Sequence, residues 1–589
     1  MDARAMLGDD RVMRLPFKAM SFVLRASSTA CLLVVLAACA SPVAKPLPSA
    51  TGTGWVAAAN PHAVAAGLEV LRNGGSAVDA AIAVQVMLGL AEPQSSGIGG
   101  GAFLLVYDPG TRQVSAFNGR EKAPAAAQSD MFMTTADTPL SRAAAVVSGR
   151  ATGVPGVMRL LERAHGKFGR RPWAETFEPA IRLAREGFEV SPRMARYLNG
   201  SYPQVQTPDV RNLFARPDGT PLQAGDHFRN PAYAGTLQSL ATAGADALYE
   251  GPLAQQIVAR TQAAPLGGAM TEADLANYSV EAVAPLCRIV WAHQVCVPPP
   301  PSSGVGVLQL LALLEQTDIE RRGPKDPQAW LLFAQASRLM YADRDRYVAD
   351  PRFVDVPVSE LLAPDYITSR ARLIDRDVSV APVAGELLAS RVGEDATREA
   401  AGTSHFVISD ASGMVVSMTT TVETYFGSGR SVGGFVLNNQ MTDFSLNPRD
   451  GERPAANAVA GGKRPRSSMA PIVVLDLQGR FVAALGSPGG NAIPAYNGKT
   501  LLAMLAWGMD LRSAIELPNL IARSGEFVAE KDKFAPGVVE QLARLGLELR
   551  PPKGEESGLH GLWRQADGTM LGAADSRREG TVSSVAVQP

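Results

Sequence analysis

The sequence predicts an α/β protein in which helices are interspersed with antiparallel hairpins. Three observations carry this. Residues 63–72 and 77–90 place apolar side chains at helical spacing, divided by Asn73-Gly74-Gly75. Residues 402–409 and 414–421 read as strands on either side of the turn cluster Asp410-Ala411-Ser412-Gly413. An apolar content of 46% against 19% charged residues is that of a globular chain. The 589 residues allow a large core, and length alone suggests roughly three or four domains. A formal net charge of −1 implies no bulk attraction to nucleic acid. Beyond residue 40 no uninterrupted apolar run is long enough to span a bilayer as a helix.

Residues 1–39 read as an export signal. Arg11, Arg14, Lys18 and Arg25 form a basic start, and 30–38 is an apolar segment too short to span. It ends in Leu36-Ala37-Ala38-Cys39, which resembles a bacterial lipoprotein box. The expectation is a lipidated Cys39 in the periplasmic face of a bacterial envelope; the alternative is a plain cleaved signal that contains a cysteine. Residues 40–54, rich in Pro, Ala, Ser and Thr, read as a tether.

The globular part is then expected from Trp55. The glycine run 97–101 superficially fits a dinucleotide fingerprint, but it follows a helix and precedes the strand 103–107, the wrong order. It reads instead as a tight turn where backbone passes closely. Gly498-Lys499-Thr500 is no phosphate loop, because Ile493 stands where the first glycine belongs. Further helices are expected at 157–168, 172–186, 253–262, 305–315 and 330–343. A two-residue turn at Trp291-Ala292 would set Cys287 opposite Cys296 at a non-hydrogen-bonded position, with Cα atoms about 4.5 Å apart. That is within disulfide range, and an exported protein can keep such a bond; two buried thiols are the other reading. Six scattered histidines offer no metal-ligand spacing.

The hairpin 402–421 carries the chemistry. If Ser409 faces Met414, Thr403 lies opposite the run Thr419 to Thr421, with Gly402 just before it. A threonine hydroxyl is a weak nucleophile unless a base sits beside it, and a free N-terminal amine on the same residue is such a base. Cutting the Gly402–Thr403 bond would create it. A threonine-rich hairpin with no chemistry is the plainer reading of these residues alone.

Other stretches bear on that choice. Thr403-Ser404-His405 is followed in order by 438–444 (NNQMTDF), 463–469 (KRPRSSM) and 486–490 (GSPGG), and preceded by 92–101 (EPQSSGIGGG), 120–124 (REKAP), 153–157 (GVPGV) and 298–304 (PPPPSSG). This ordered set closely resembles the γ-glutamyltransferase (γ-glutamyl transpeptidase) family of N-terminal-nucleophile hydrolases, over about residues 55–580. The resemblance implies a four-layer αββα sandwich, two antiparallel sheets between helical layers. It implies autocleavage into a large subunit, 55–402, and a small catalytic subunit, 403–589, which stay together as a heterodimer. Thr403 would be the nucleophile in both self-cleavage and catalysis. Thr421 would orient it, and the N–H groups of Gly489 and Gly490 would form the oxyanion hole. Arg120, Ser467 and Ser468 would hold the donor α-carboxylate, and Gln440 and Asp443 its α-amino group. No cofactor is required for covalent acyl transfer.

Two departures from the family pattern stand out. Glu423 replaces an asparagine, and its carboxylate could meet the donor ammonium. Residues 445–462 form a shorter active-site lid with no tyrosine. A more open pocket admits water and bulkier donors. The expectation is therefore an exported, self-cleaving enzyme acting on glutathione-like γ-glutamyl amides, passing the acyl group to water, amino acids or dipeptides. A cephalosporin or glutaryl acylase-like amidohydrolase and a non-maturing lipid-anchored binding protein are the rivals.

Overall fold

The computed structural model describes residues 52–135, 138–374, 377–387, 392, 393, 395, 397, 399, 402–554 and 557–587. The export signal with Cys39, and the tether up to residue 51, lie outside the described residues.

The first sheet is built from β1 (Gly52–Ala58), β2 (Gly101–Asp108), β3 (Gln113–Gly119) and β4 (Glu281–Val283), then from three later strands. Between those two groups come β5 (Leu286–Val290) and β6 (His293–Val297). After them come β7 (Gly402–Ser409), β8 (Val415–Glu423), β9 (Ile472–Leu475), β10 (Phe481–Gly486), β11 (His560–Arg564), β12 (Met570–Ala574) and β13 (Thr581–Val587), of which β7, β8 and β13 join the first sheet. The first sheet has the order β13-β1-β7-β8-β2-β3-β4 and the second β12-β11-β10-β9-β6-β5. Neighbouring strands run antiparallel throughout both.

Alternation along β7 shows how the layers are made. Phe406 and Ile408 belong to the cluster that includes helices α1 (Pro61–Arg72) and α2 (Ala77–Ala91). Val407 points the other way, into an apolar layer shared with Val473, Leu475, Phe481 and Leu562 of the second sheet. The outer face of the second sheet is covered by α3 (Gly304–Glu315), α4 (Pro327–Tyr347), α5 (Ile493–Leu505) and α6 (Leu511–Glu516), directly or through one another. The result is helices, sheet, sheet, helices, as the resemblance implied. The three or four domains suggested by length are not present among the described residues, which form one unit around these layers.

Local chemistry fixes the element ends. α1 starts at Asn60, whose side chain accepts the His62 N–H at 2.9 Å, and ends before Gly74, at φ +81°. α2 opens with a reciprocal cap between Ser76 and Asp79. Every residue of α2 is buried, because it is packed between the sheet and further helices. The helix expected over 172–186 is split into a 3₁₀ turn, Trp173–Phe177, and a helix, Glu178–Glu186, with Pro179 in the latter's first turn.

The sheet begins three residues earlier than expected, inside the stretch assigned to the tether. Gly52, Thr53 and Gly54 pair with Val587, Ala586 and Val585. A Cβ on Gly54 would stand 2.9 Å from the Leu71 side chain, so close strand–helix packing demands the small residue that mimicked a linker. Cys287 and Cys296 pair directly across the β5–β6 hairpin and form a disulfide, Cα to Cα 4.1 Å. The turn is at Trp291-Ala292, both residues at positive φ.

Candidate active site

Thr403 lies at the start of β7, in the middle of the first sheet. Its partner is Thr421, and Ser409 faces Val415, not Met414. The one-residue difference comes from Asp410. Its carboxylate accepts the N–H groups of Ser412 and Met414 and the Ser412 hydroxyl, closing a loop one residue longer than a simple turn. It also accepts the Ala77 N–H at 3.0 Å, which ties the hairpin to the start of α2.

The corrected register sets up a chain of hydroxyls. The Thr403 hydroxyl donates to Thr421 Oγ1 at 3.3 Å, and the Thr421 hydroxyl donates to the Gly402 carbonyl at 2.6 Å. Thr421 Oγ1 also accepts the Glu423 N–H at 2.8 Å. One donor and two acceptor positions are thereby all used. The strand pairing shifts between Gly402 and Thr403, and a Cβ on Gly402 would lie 2.4 Å from the Glu423 carbonyl oxygen. Only glycine fits before the threonine.

The upstream motifs buttress this hairpin. A Cβ on Gly100 would meet the Thr421 carbonyl oxygen at 2.0 Å, so the glycine run is a close backbone crossing and no nucleotide site. The Asn438 amide donates to the carbonyls of Gly99 and Gly153, each at 2.8 Å. Ser302 and Ser303 donate to the carbonyls of Met469 and Ser467, each at 2.7 Å. Motifs far apart in sequence are thus one packed assembly.

One narrow pocket is bordered by Arg120, Thr403, Thr421, Glu423, Gln440, Asp443, Ser467, Ser468 and Gly490. Gly489 adjoins it in sequence, at φ +135°, where a Cβ would stand 2.6 Å from the Tyr496 ring. The polar partners differ in detail from those expected. Arg120, 1% exposed, donates to Asp443 Oδ2 at 2.6 Å and to the carbonyls of Pro465 and Arg466 at 3.2 and 2.7 Å. The Gln440 amide donates to the same Asp443 oxygen at 2.6 Å. Burial pushes the Asp443 carboxyl well above the usual carboxylate range, the neighbouring Glu423 adds to this, and Arg120 opposes it.

Glu423 sits at φ +83°, a strained backbone position for a side chain of this size. Its carboxylate accepts from Arg142 at 2.8 Å and from the Asn439 amide. Ser468 donates its N–H to the Glu399 carboxylate at 2.6 Å, and its hydroxyl accepts from Arg344 at 2.6 Å. Arg142, Arg344, Glu399 and Asn439 were missed by the sequence reading. Asn439 lies inside the quoted 438–444 stretch; the other three reach the site from distant segments and carry no local signal.

Sheets layered between helices, with a glycine–threonine junction heading a central strand, define the N-terminal-nucleophile hydrolase architecture. The chain matches the sequence model described as Gamma-glutamyltranspeptidase over residues 63–585 and belongs to that family. It is 35% identical over 545 residues to a glutathione hydrolase proenzyme of Bacillus subtilis (strain 168), covering 90% of this chain and 91% of that one. It is 33% identical over 544 residues to the acylase ACY 1 proenzyme of Pseudomonas sp. (strain SE83), covering 91% and 94%. The crystal structure of a cephalosporin acylase from Bacillus halodurans superimposes with a TM-score of 0.78 at 26% identity, covering 92% and 98%.

Proposed function

We propose that this enzyme cuts itself at Gly402–Thr403 and then transfers γ-glutamyl groups through an ester on Thr403. The observation that carries this is the hydroxyl chain Thr403–Thr421–Gly402 carbonyl. In self-cleavage the Thr403 oxygen attacks the Gly402 carbonyl carbon. The Thr421 hydroxyl, already on the carbonyl oxygen, stabilises the developing negative charge. The C–N bond breaks as the proton passes to the Thr403 nitrogen, leaving an ester that water hydrolyses. The products are a fragment ending at Gly402 and one beginning at Thr403, held together as a heterodimer.

In turnover the freed α-amine takes the Thr403 hydroxyl proton as the oxygen attacks the donor's γ-carbonyl. N–H groups of Gly489 and Gly490 receive the oxyanion, and the protonated amine leaves. Water, an amino acid or a dipeptide then takes the acyl group. Glu423, Gln440 and Asp443 receive the donor ammonium. Asp443, pushed up by burial and by the neighbouring Glu423 carboxylate, would be relieved by a cationic ligand. Export under the 1–39 signal, with a lipid on Cys39, places this activity in the bacterial periplasm.

A second reading, an acylase for glutaryl or cephalosporin-type side chains, is favoured by the Arg142–Glu423 ion pair. That pair already offsets one of the charges an ammonium would need. Assaying a chromogenic γ-glutamyl anilide beside the glutaryl amide of the same aniline separates the two. A preference for the γ-glutamyl compound is expected; exclusive turnover of the glutaryl compound would overturn the first reading, and turnover of neither would overturn both.

A further inference from the structure

One side chain separates the candidate pocket from an open groove. Arg142 begins the short helix Arg142–Val146, capped by Ser141, whose hydroxyl oxygen accepts the Ala144 N–H at 3.3 Å. Its guanidinium donates to Glu423, a residue of the pocket border, at 2.8 Å, and to the Thr442 carbonyl at 3.4 Å. On its other side Arg142 lines a larger hollow with Pro139, Arg346, Leu446, Asn447 and Arg449. Its side chain keeps 34% of its surface exposed, whereas that of Glu423 keeps 2%. Arg142 is therefore a partition, ion-paired toward the pocket and wet toward the groove. It supplies a positive charge where a donor ammonium would sit, and it fills the space through which a longer acyl chain would run. Glu423 does not depend on Arg142 for its place: the Asn439 amide donates to its other oxygen, and its N–H is held by Thr421 Oγ1 at 2.8 Å. Arg120 and Gln440 are meanwhile bonded to Asp443, so Arg120 serves one of the two acidic groups and Arg142 the other.

We propose that Arg142 determines which donors the site takes: it competes with the donor ammonium for Glu423 and walls the pocket off from the groove. The inference rests on the proposed reading of the donor as a γ-glutamyl or glutaryl amide bound with its far end toward Glu423. Specificity is a difference between affinities. With Arg142 in place, donors with and without an amine are served more evenly than Glu423 alone would allow, and the acyl chain ends at the guanidinium. Without it, amine-bearing donors gain. A donor whose amine carries a further neutral acyl group then has room to extend into the groove, so N-acylated γ-glutamyl amides are the class that the wall excludes.

L-Glutamate and glutarate differ only in the amine, so their binding to the cut protein, measured by calorimetry, reads the charge with no turnover. Arg142→Gln keeps most of the length and loses the charge, Arg142→Ala loses both, and Arg142→Lys keeps the charge. The affinity ratio of glutamate to glutarate is expected to rise roughly tenfold or more in Arg142→Gln and Arg142→Ala, the worth of a charge-assisted hydrogen bond. Arg142→Lys should return it toward the wild-type value. An unchanged ratio in both uncharged variants overturns the competition for Glu423. N-Acetyl-γ-glutamyl anilide reads the wall: Arg142→Ala is expected to turn it over, and the wild type and Arg142→Gln are not. Turnover of it by the wild type, or none by an Arg142→Ala protein that still cuts γ-glutamyl anilide, overturns the wall. Should Arg142→Ala fail to mature, Arg142→Ser takes its place. If the binding ratio shifts as expected while the wild type turns over neither γ-glutamyl nor glutaryl anilide, the enzymatic reading fails and the competition of Arg142 for Glu423 stands.

Discussion

Replacing Thr421 by valine tests the central feature of the site. Valine keeps the branched shape on β8 but removes the hydroxyl that donates to the Gly402 carbonyl at 2.6 Å. If that hydroxyl stabilises the oxyanion of self-cleavage, its loss resembles removal of one oxyanion-hole donor, about 2.7–4 kcal/mol or roughly 10²–10³ in rate. A second effect is on folding. The buried Glu423 N–H loses its acceptor, at a cost of about 1–3 kcal/mol. The two effects are measured separately. Appearance of the fragment starting at Thr403, 589 − 402 = 187 residues, is followed by gel electrophoresis after purification; thermal melting reports stability. Valine should slow the cut at least a hundredfold while the protein still melts cooperatively. Serine should restore most of the rate, because it returns the hydroxyl to the same position. Cleavage of the valine variant at the wild-type rate would refute the role of Thr421 in polarising the bond.

Three further outcomes are expected. Thr403→Ala should remain a single inactive chain, and efficient cutting of it at the same bond would show that processing is not its own work. Glu423→Gln should lower kcat/KM for γ-glutamyl donors by roughly ten- to hundredfold, from a lost charged hydrogen bond of about 1.5–3 kcal/mol; a glutaryl donor should lose much less, and equal losses would mean that Glu423 serves the strand and not the ammonium. Glu121 is buried 3.6 Å from Arg120, and burial pushes its carboxyl from 4.5 up to about 7 despite that guanidinium. The folded state therefore holds the proton more tightly than the unfolded one, and stability falls as pH rises from about 4.5 to about 7. Glu121→Gln should melt increasingly above the wild type across that window, by a limiting difference on the order of 3 kcal/mol, and a difference independent of pH would show that Glu121 does not titrate there.

What was legible in the sequence was mostly what depends on local pattern. Helical spacing found α1 and α2 and the helix Val157–Phe168, and alternation found the hairpin that carries Thr403. The hairpin register slipped by one because the loop is closed by a side chain, Asp410, whose reach periodicity does not report. Gly52 and Gly54 were read as tether because a strand pressed against a neighbouring loop at Ala411 and a helix at Leu71 needs small residues, which also make linkers. The residues gathered around the pocket were read from ordered motifs. Their partners were not: Arg142 comes to Glu423, and Glu399 to Ser468, only through the tertiary fold. Arg120 borders the pocket, but its bond to Asp443 is a pairing that no spacing announces.

The strand order has a consequence for the protein's history. Cut after Gly402, the molecule becomes two chains woven into each other. β1 of the first chain lies between β13 and β7 of the second, β8 borders β2, and β9 borders β6 across the other sheet. Pulling the chains apart would mean breaking hydrogen bonds at four strand borders at once. Reassembly would be a meeting of two partly unfolded molecules, neither of which carries the whole of either sheet. Folding would then happen once, on the intact chain, and the cut would erase the route back. The processed protein is then protected by the height of its unfolding barrier and not by an equilibrium it can revisit. Heating past the transition and cooling should recover little of the processed form, whereas the uncut Thr403→Ala chain retains a single-chain path home.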